Sequence, residues 1–307
     1  MRLITRSDFD GLGCAAIFKE AGVIDDIKFV HPKDIQDGII EVSENDILAN
    51  IPYVKGCGLW FDHHSSEEER KAYGDFNGVC DTSAPSAARV VYNYYKSQNK
   101  ITENDFFNDL IDAVDKADMG RFTIEEIQNP TGWVLVSFVM DPRTGLGRYR
   151  DYRISNYSLM MDMIDYCRTM KVSEILKIHD VVERTNRYFE QDKLFRDMVK
   201  RNTTLKKNVI LLDLRNEEEI YTGNRFLLYS LYPDQNVSIQ AIWGFKKQNM
   251  VFTCGHSIVN RTSRTDIGSL MLKYGGGGHK RVGTCQVPVE EAERVLKEIV
   301  DQMNIDG

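Results

Sequence analysis

No two of the chain's six cysteines (Cys14, Cys57, Cys80, Cys167, Cys254 and Cys285) form a CxxC pair. In a chain of 307 residues such scattered thiols exclude a disulfide framework and a cysteine zinc site, and they point to a reduced, cytoplasmic setting. Long apolar stretches are missing too. The opening Met1-Arg2-Leu3-Ile4 meets polar residues at once, without the apolar core of a signal peptide, and no run approaches a membrane span. Basic residues are outnumbered, 39 Lys and Arg against 46 Asp and Glu, for a formal net charge of −7. That balance argues against the broad basic surface that long nucleic acid requires. It leaves room for a small phosphorylated ligand held by a few local cations and a metal. There is no internal repeat and no low-complexity segment. With 42% hydrophobic and 28% charged residues, the composition is that of a soluble globular protein of one large or two ordinary domains.

What is present centres on Leu59-Trp60-Phe61-Asp62-His63-His64-Ser65-Ser66. A short apolar run into an acid and two imidazoles reads as the end of a buried strand, where open α/β sheets place their sites. Imidazole is a common ligand for divalent metals, and a neighbouring carboxylate fixes its orientation. Alternatively, Asp62 caps a turn and the histidines lie on the surface. Near the N-terminus, Asp8-Phe9-Asp10-Gly11 sits in a predicted strand-to-helix turn. Its two carboxylates can converge on a hard cation, or serve as an N-cap and a turn residue.

Strands are predicted at Arg2–Arg6, Ile27–His31, Asp46–Ile51 and Leu59–Phe61, which gives a doubly wound α/β domain. The connection from Asn50 to Leu59 is too short for a crossover helix and leaves strand pairing open there. Asp81-Thr82-Ser83-Ala84-Pro85-Ser86 starts a helix, with proline expected in its first turn. Another helix runs from near Thr102 to Asp118. Its apolar positions Phe107, Leu110, Ile111 and Val114 place Asp118 on the core-facing stripe and Asp115 on the polar face. A buried carboxylate needs a partner, which a metal would provide; a plain helix-end aspartate is the alternative.

The loop Asp141–Arg148 offers glycines and two arginines to a phosphate, or is simply solvated. Helices without proline follow to about Lys200; after Leu205 the predicted strands Val209–Leu212, Val237–Trp243, Met250–Thr253 and Val282–Val287, with helices over Asp266–Tyr274 and from Pro288 through Met303, make a smaller α/β domain. Within it, Gly275-Gly276-Gly277-Gly278-His279 exceeds the single left-handed residue of a helix C-cap. Such a run allows close backbone approach to a ligand, with amides free to meet phosphate oxygens; a flexible turn is the other reading.

Four motifs in this order, Asp8-Phe9-Asp10-Gly11, Asp62-His63-His64, Asp118-Met119-Gly120-Arg121-Phe122 and the glycine run ending in His279, resemble the DHH/DHHA1 phosphoesterases. Size and the glycine–histidine motif are most similar to the nanoRNase and pAp-phosphatase branch and to relatives called exopolyphosphatases. The resemblance implies a DHH domain over 1–155, a helical connection over 156–204 and a DHHA1 domain over 205–307, with the site in the cleft between the domains. It implies two Mn2+ or Mg2+ ions on Asp8, Asp10, Asn50, His63 and Asp118. Asp62 would steady the ligands, and His64 would meet the substrate phosphate or assist the leaving group. Arg261, Gly277, Gly278 and His279 would bind substrate.

Two positions depart from the family pattern: Ile4 stands where many relatives carry histidine, and Asn50 where they carry a bridging aspartate. Fewer ions are expected if these weaken the site, since a neutral amide bridges cations poorly; His31 could compensate if the fold brings it in. The implied activity is hydrolysis of short oligoribonucleotides or nucleotide phosphates such as pAp, through metal-assisted attack of water on phosphorus. An exopolyphosphatase, or a nucleotide-binding protein with a degenerate site, is the alternative. The expected partners are a small phosphorylated substrate and no membrane, with room for a homodimer.

Overall fold

The computed structural model describes residues 1–64, 75–101 and 105–307, the side chain of Phe106 excepted. Ser65, Ser66 and the helix start expected near Thr102 lie outside the described residues. The chain divides into two compact units, one of residues 1–121 and 130–187, the other of 122–129 and 188–307.

Five strands build the sheet of the first unit: β1 (Arg2–Arg6), β2 (Asp26–Val30), β3 (Asp46–Ala49), β4 (Leu59–Asp62) and β5 (Gly78–Cys80). All pair in parallel, in the order β2-β1-β3-β4-β5. The order reverses between β1 and β3, and ligands bind open α/β sheets outside the carboxyl ends of the strands at such a point. Leu3, Ile4, Ile47, Leu48 and Phe61 are fully buried, as expected where parallel strands are covered on both faces. Ile4 packs with Val30, Leu48, Ile51 and Trp60, so position 4 is committed to the core.

The pairing left open after Asn50 is resolved: β3 and β4 are parallel neighbours although no helix joins them. Apolar residues of the loop do the covering. Tyr53, Val54 and Cys57 pack with Trp60, whose indole N–H donates to the carbonyl of Ile51 at 3.0 Å.

Helix α1 (Phe9–Glu20) follows β1 and packs against α2 (Ala87–Ser97), α3 (Asp105–Asp118) and α5 (Asn156–Thr169). The start of α2 is later than the sequence suggested. Ser86 is the N-cap, accepting from the N–H of Arg89, and Pro85 precedes the helix because Ser86 must stay extended to cap it. The apolar segment after residue 131 is a helix, α4 (Gly132–Met140). The stretch expected as a connection is divided. α5 packs within the first unit, and the unit boundary falls inside α6 (His179–Arg201), between Arg187 and Tyr188.

The second unit carries a mixed sheet of β6 (Thr203–Lys206), β7 (Val209–Asp213), β8 (Val237–Trp243), β9 (Met250–His256), β10 (Gly277–His279) and β11 (Val282–Val287), in the order β10-β11-β9-β8-β7-β6. Helices α7 (Ile267–Leu272) and α8 (Ala292–Asp306) share its core with alternate residues of β8, β9 and β11. Sequence periodicity anticipated β7, β8, β9, β11 and both helices, but not the edge strands β6 and β10. The glycine run forms β10, hydrogen-bonded antiparallel to β11. Among the described residues, no helix is long and apolar enough to cross a membrane.

Candidate active site

Two acids come from the turn after β1. Asp8 caps α1 by accepting the Gly11 N–H at 3.0 Å, and Asp10, only 3% exposed, sits in the first turn of that helix. Glycine is required in the first turn of α1, because a Cβ on Gly11 would lie 1.9 Å from the carbonyl oxygen of Arg6. The oxygens of Asp10 accept from the N–H groups of Ala87 (3.0 Å) and Ala88 (2.8 Å). These are unpaired amides of the first turn of α2, where the helix dipole also favours an anion. Burial, followed by the charges of Asp118 and Asp8, nevertheless pushes the Asp10 carboxyl well above the usual carboxylate range.

β4 ends on Asp62, which is 1% exposed. One oxygen of Asp62 accepts from the backbone of His63 (2.7 Å) and His64 (3.3 Å) and lies 2.7 Å from His64 Nδ1. Burial works against a charge on His64, but the hydrogen bond and charge of Asp62 outweigh it and raise the imidazole to about 9. His63 faces the other way, with Nδ1 3.2 Å from the carbonyl oxygen of Ala84. Since a carbonyl can only accept, Nδ1 carries the proton and Nε2 presents a lone pair. That Nε2 is buried and has no hydrogen-bond partner among the described residues. It stands 3.3 Å from Asp118 Oδ2 and 3.9 Å from Asp10 Oδ2.

Asp118 meets His63, although burial does not distinguish it in the way the helical stripe suggested. Its side chain is 33% exposed, whereas that of Asp115 is 14% exposed. Asp115 is occupied, accepting from Ser86 Oγ at 2.6 Å and Arg89 Nε at 2.7 Å. Asp118 is the last residue of α3, where the helix runs out past the core. Burial, together with Asp8, raises its carboxyl above the usual range, while His63, His64 and Arg6 pull it back.

Asp10, His63 and Asp118 thus offer ligand atoms all within 4.8 Å of one another. Crowded carboxylates beside an orphaned imidazole nitrogen are the donor set a divalent cation fits: hard oxygens and one neutral nitrogen. Asp8 and Asn50 adjoin this trio. The Asn50 amide nitrogen donates to Asp8 Oδ1 at 3.1 Å, and Arg6 Nε lies 2.8 Å from Asp8 Oδ2. His31 is committed elsewhere, its Nδ1 accepting from the N–H of Lys33 at the start of the short helix Pro32–Gln36.

Sequence reading missed Arg6 and left Arg143 undecided. Burial opposes the charge on Arg143, but its Asp141 partner at 2.8 Å, and beyond it Asp8 and Asp118, hold the guanidinium above its usual pKa. The spacing of Arg6 two residues before Asp8 was the available signal for the first; the glycines and arginines of the Asp141–Arg148 loop were the signal for the second.

In the second unit, Gly277, Gly278 and His279 form β10, and Arg261 lies on the loop after β9, its Nε donating to the carbonyl of Ile258 at 3.1 Å. The glycines differ from one another. Gly278 has φ +155° and a Cβ there would meet Val282 O at 2.3 Å; a Cβ on Gly276 would meet Thr284 O at 2.2 Å. Gly277 has neither constraint, with nothing within 4 Å of a built Cβ.

An open parallel sheet with an acid–histidine cluster at its switch point is the architecture of a metal-dependent phosphoesterase of the DHH type. Among solved structures, a pGpG-specific phosphodiesterase, PggH from Vibrio cholerae, is 49% identical, with 100% of this chain and 99% of that one covered at a TM-score of 0.86. A PF0399 DHH domain (11% identity, 98% and 86% covered, TM-score 0.60) shares the fold. So does RecJ in complex with Mn2+ from Thermus thermophilus (12% identity, 99% and 52% covered, TM-score 0.59). No family model matches the chain, and no curated protein matches it. The chain belongs to the DHH/DHHA1 phosphoesterase family. It is a metal-dependent phosphoesterase.

Proposed function

We propose that the chain hydrolyses 5′-phosphorylated dinucleotides, pGpG foremost, to mononucleotides in the cytoplasm. The observation that carries this reading is identity of 49% over the whole chain to a phosphodiesterase described as pGpG-specific. The negative net charge, unsuited to long nucleic acid, and six free cysteines support the small substrate and the reducing compartment.

Asp10, His63 and Asp118 would hold a Mn2+ or Mg2+ ion, which supplies Lewis-acid polarisation of the phosphate and a more acidic water. The α2 amides fix Asp10, and the Ala84 carbonyl fixes His63 in the tautomer whose Nε2 can ligate. Water attacks the bridging phosphorus and the P–O3′ bond breaks. His64, kept protonated by Asp62, neutralises charge on the phosphoryl oxygens or gives its proton to the departing O3′. Arg6 and Arg143 add fixed positive charge beside the carboxylates, where a transferring phosphoryl group gains most from it. In the second unit, Arg261, His279 and the amide of Gly277 are assigned to the nucleotide's terminal phosphate.

The test is product release from pGpG, pApA, pAp, a longer RNA and polyphosphate with Mn2+, using His63→Ala as control. GMP from pGpG, lost in the control, is the expected result. Phosphate release from polyphosphate alone would replace this reading with an exopolyphosphatase.

A further inference from the structure

We propose that the site takes a single divalent cation, on Asp10, His63 and Asp118, and that the guanidinium of Arg6 occupies electrostatically the place of a second. The inference rests on the metal-dependent reading above, and not on the identity of the substrate.

Of the groups beside this trio, Asp62 and His64 are bound to each other, and the carboxylate of Asp8, the remaining place for a second ion, is already engaged. Oδ1 accepts from the Gly11 N–H at 3.0 Å and from Asn50 Nδ2 at 3.1 Å, while Oδ2 is 2.8 Å from Arg6 Nε. Asp8 is accordingly absent from the group whose ligand atoms converge. A further divalent ion at Asp8 would have to displace the guanidinium or lie against it, charge to like charge. Around it, Ile4 is a fully buried core residue without a donor atom, and Asn50 turns a positive N–H end toward Asp8 where a ligand would offer negative oxygen.

The second positive centre that a phosphoryl transfer uses is then a residue of the chain, and Arg6 has no other partner among the described residues.

The experiment is a MnCl2 titration of the metal-free full chain by calorimetry, with the EPR spectrum of the loaded protein. The expected result is one ion per chain and the six-line spectrum of an isolated Mn2+. Asn50→Asp combined with Arg6→Met restores a free carboxylate pair and is expected to raise the count to two, with an exchange-coupled spectrum. Aspartate suits the left-handed backbone of position 50 as asparagine does. Two ions or a coupled spectrum in the unaltered chain would overturn the proposal, as would failure to bind any. Two ions with pGpG turnover would sink this inference alone, whereas one ion without turnover of any substrate would sink only the function proposed above.

Discussion

The side chain of Asn50, at the end of β3, donates to that of Asp8, at the end of β1, across 3.1 Å. This bond ties the two strands between which the sheet order reverses. Asn50 adopts a left-handed backbone, φ 56°, which asparagine tolerates better than most residues. Asn50→Ala should lose both the bond and the backbone tolerance, at about 1–3 kcal/mol. Urea unfolding of the metal-free protein measures it; an unchanged midpoint would show that the bond contributes nothing to holding the switch point.

Neighbouring glycines of β10 should respond differently to a methyl group. Gly278→Ala meets both an unfavourable φ and the Val282 carbonyl, and is expected to destabilise by about 1–3 kcal/mol or more. Gly277→Ala has open space and should melt within a few degrees of the unaltered chain. Its effect is expected in KM for the dinucleotide instead. Equal KM in Gly277→Ala and the parent would remove Gly277 from the substrate surface.

Arg143 is half exposed and anchored to Asp141 through Nε, which leaves its outer nitrogens available to a phosphate. Arg143→Ala should lower kcat/KM by roughly ten- to a hundredfold, the equivalent of one charge-assisted hydrogen bond of about 1.5–3 kcal/mol. The salt dependence of KM should flatten in the variant. Unaltered kinetics at low ionic strength would place the arginine outside the reaction.

Away from the site, Arg2 grips Asp46 through Nε (2.7 Å) and Nη2 (3.0 Å), and Asp46 is 2% exposed. Burial pushes the Asp46 carboxyl up, but Arg2 and Ser43 outweigh it and hold it below the usual range. With the folded value depressed, this stabilisation is fully present above the unfolded value of about 4 and fades as the pH falls through the folded one. Arg2→Ala should therefore cost about 1.5–3 kcal/mol at neutral pH and progressively less in acid. Denaturation midpoints that differ equally at pH 7 and in acid would contradict the assignment.

Much of the fold could be read from local pattern. The four opening strands, the Asp8 turn and the alternating apolar faces of β8, β9 and β11 all carried their period in the sequence. β5, β6 and β10 did not, being short strands that depend on pairing with partners distant in the chain. Helical phase places Asp118 rather than Asp115 on the buried stripe. The structure brings it to His63 while leaving it the more exposed of the two, since periodicity does not report where a helix outlasts its core. Arg6 escaped notice and Arg143 stayed undecided for a different reason: guanidinium groups are long, and what they reach is set by tertiary geometry.

Asp10 both faces the proposed cation position and closes the N-terminus of α2 through Ala87 and Ala88. The same carboxylate therefore answers to two independent requirements, one chemical and one architectural. A descendant of this chain that abandoned catalysis would still be held to an acid at position 10 by its helix. Persistence of that aspartate in a relative is thus poor testimony that the relative is an enzyme. His63, whose Nε2 has no hydrogen-bond partner among the described residues, is the more informative residue to inspect.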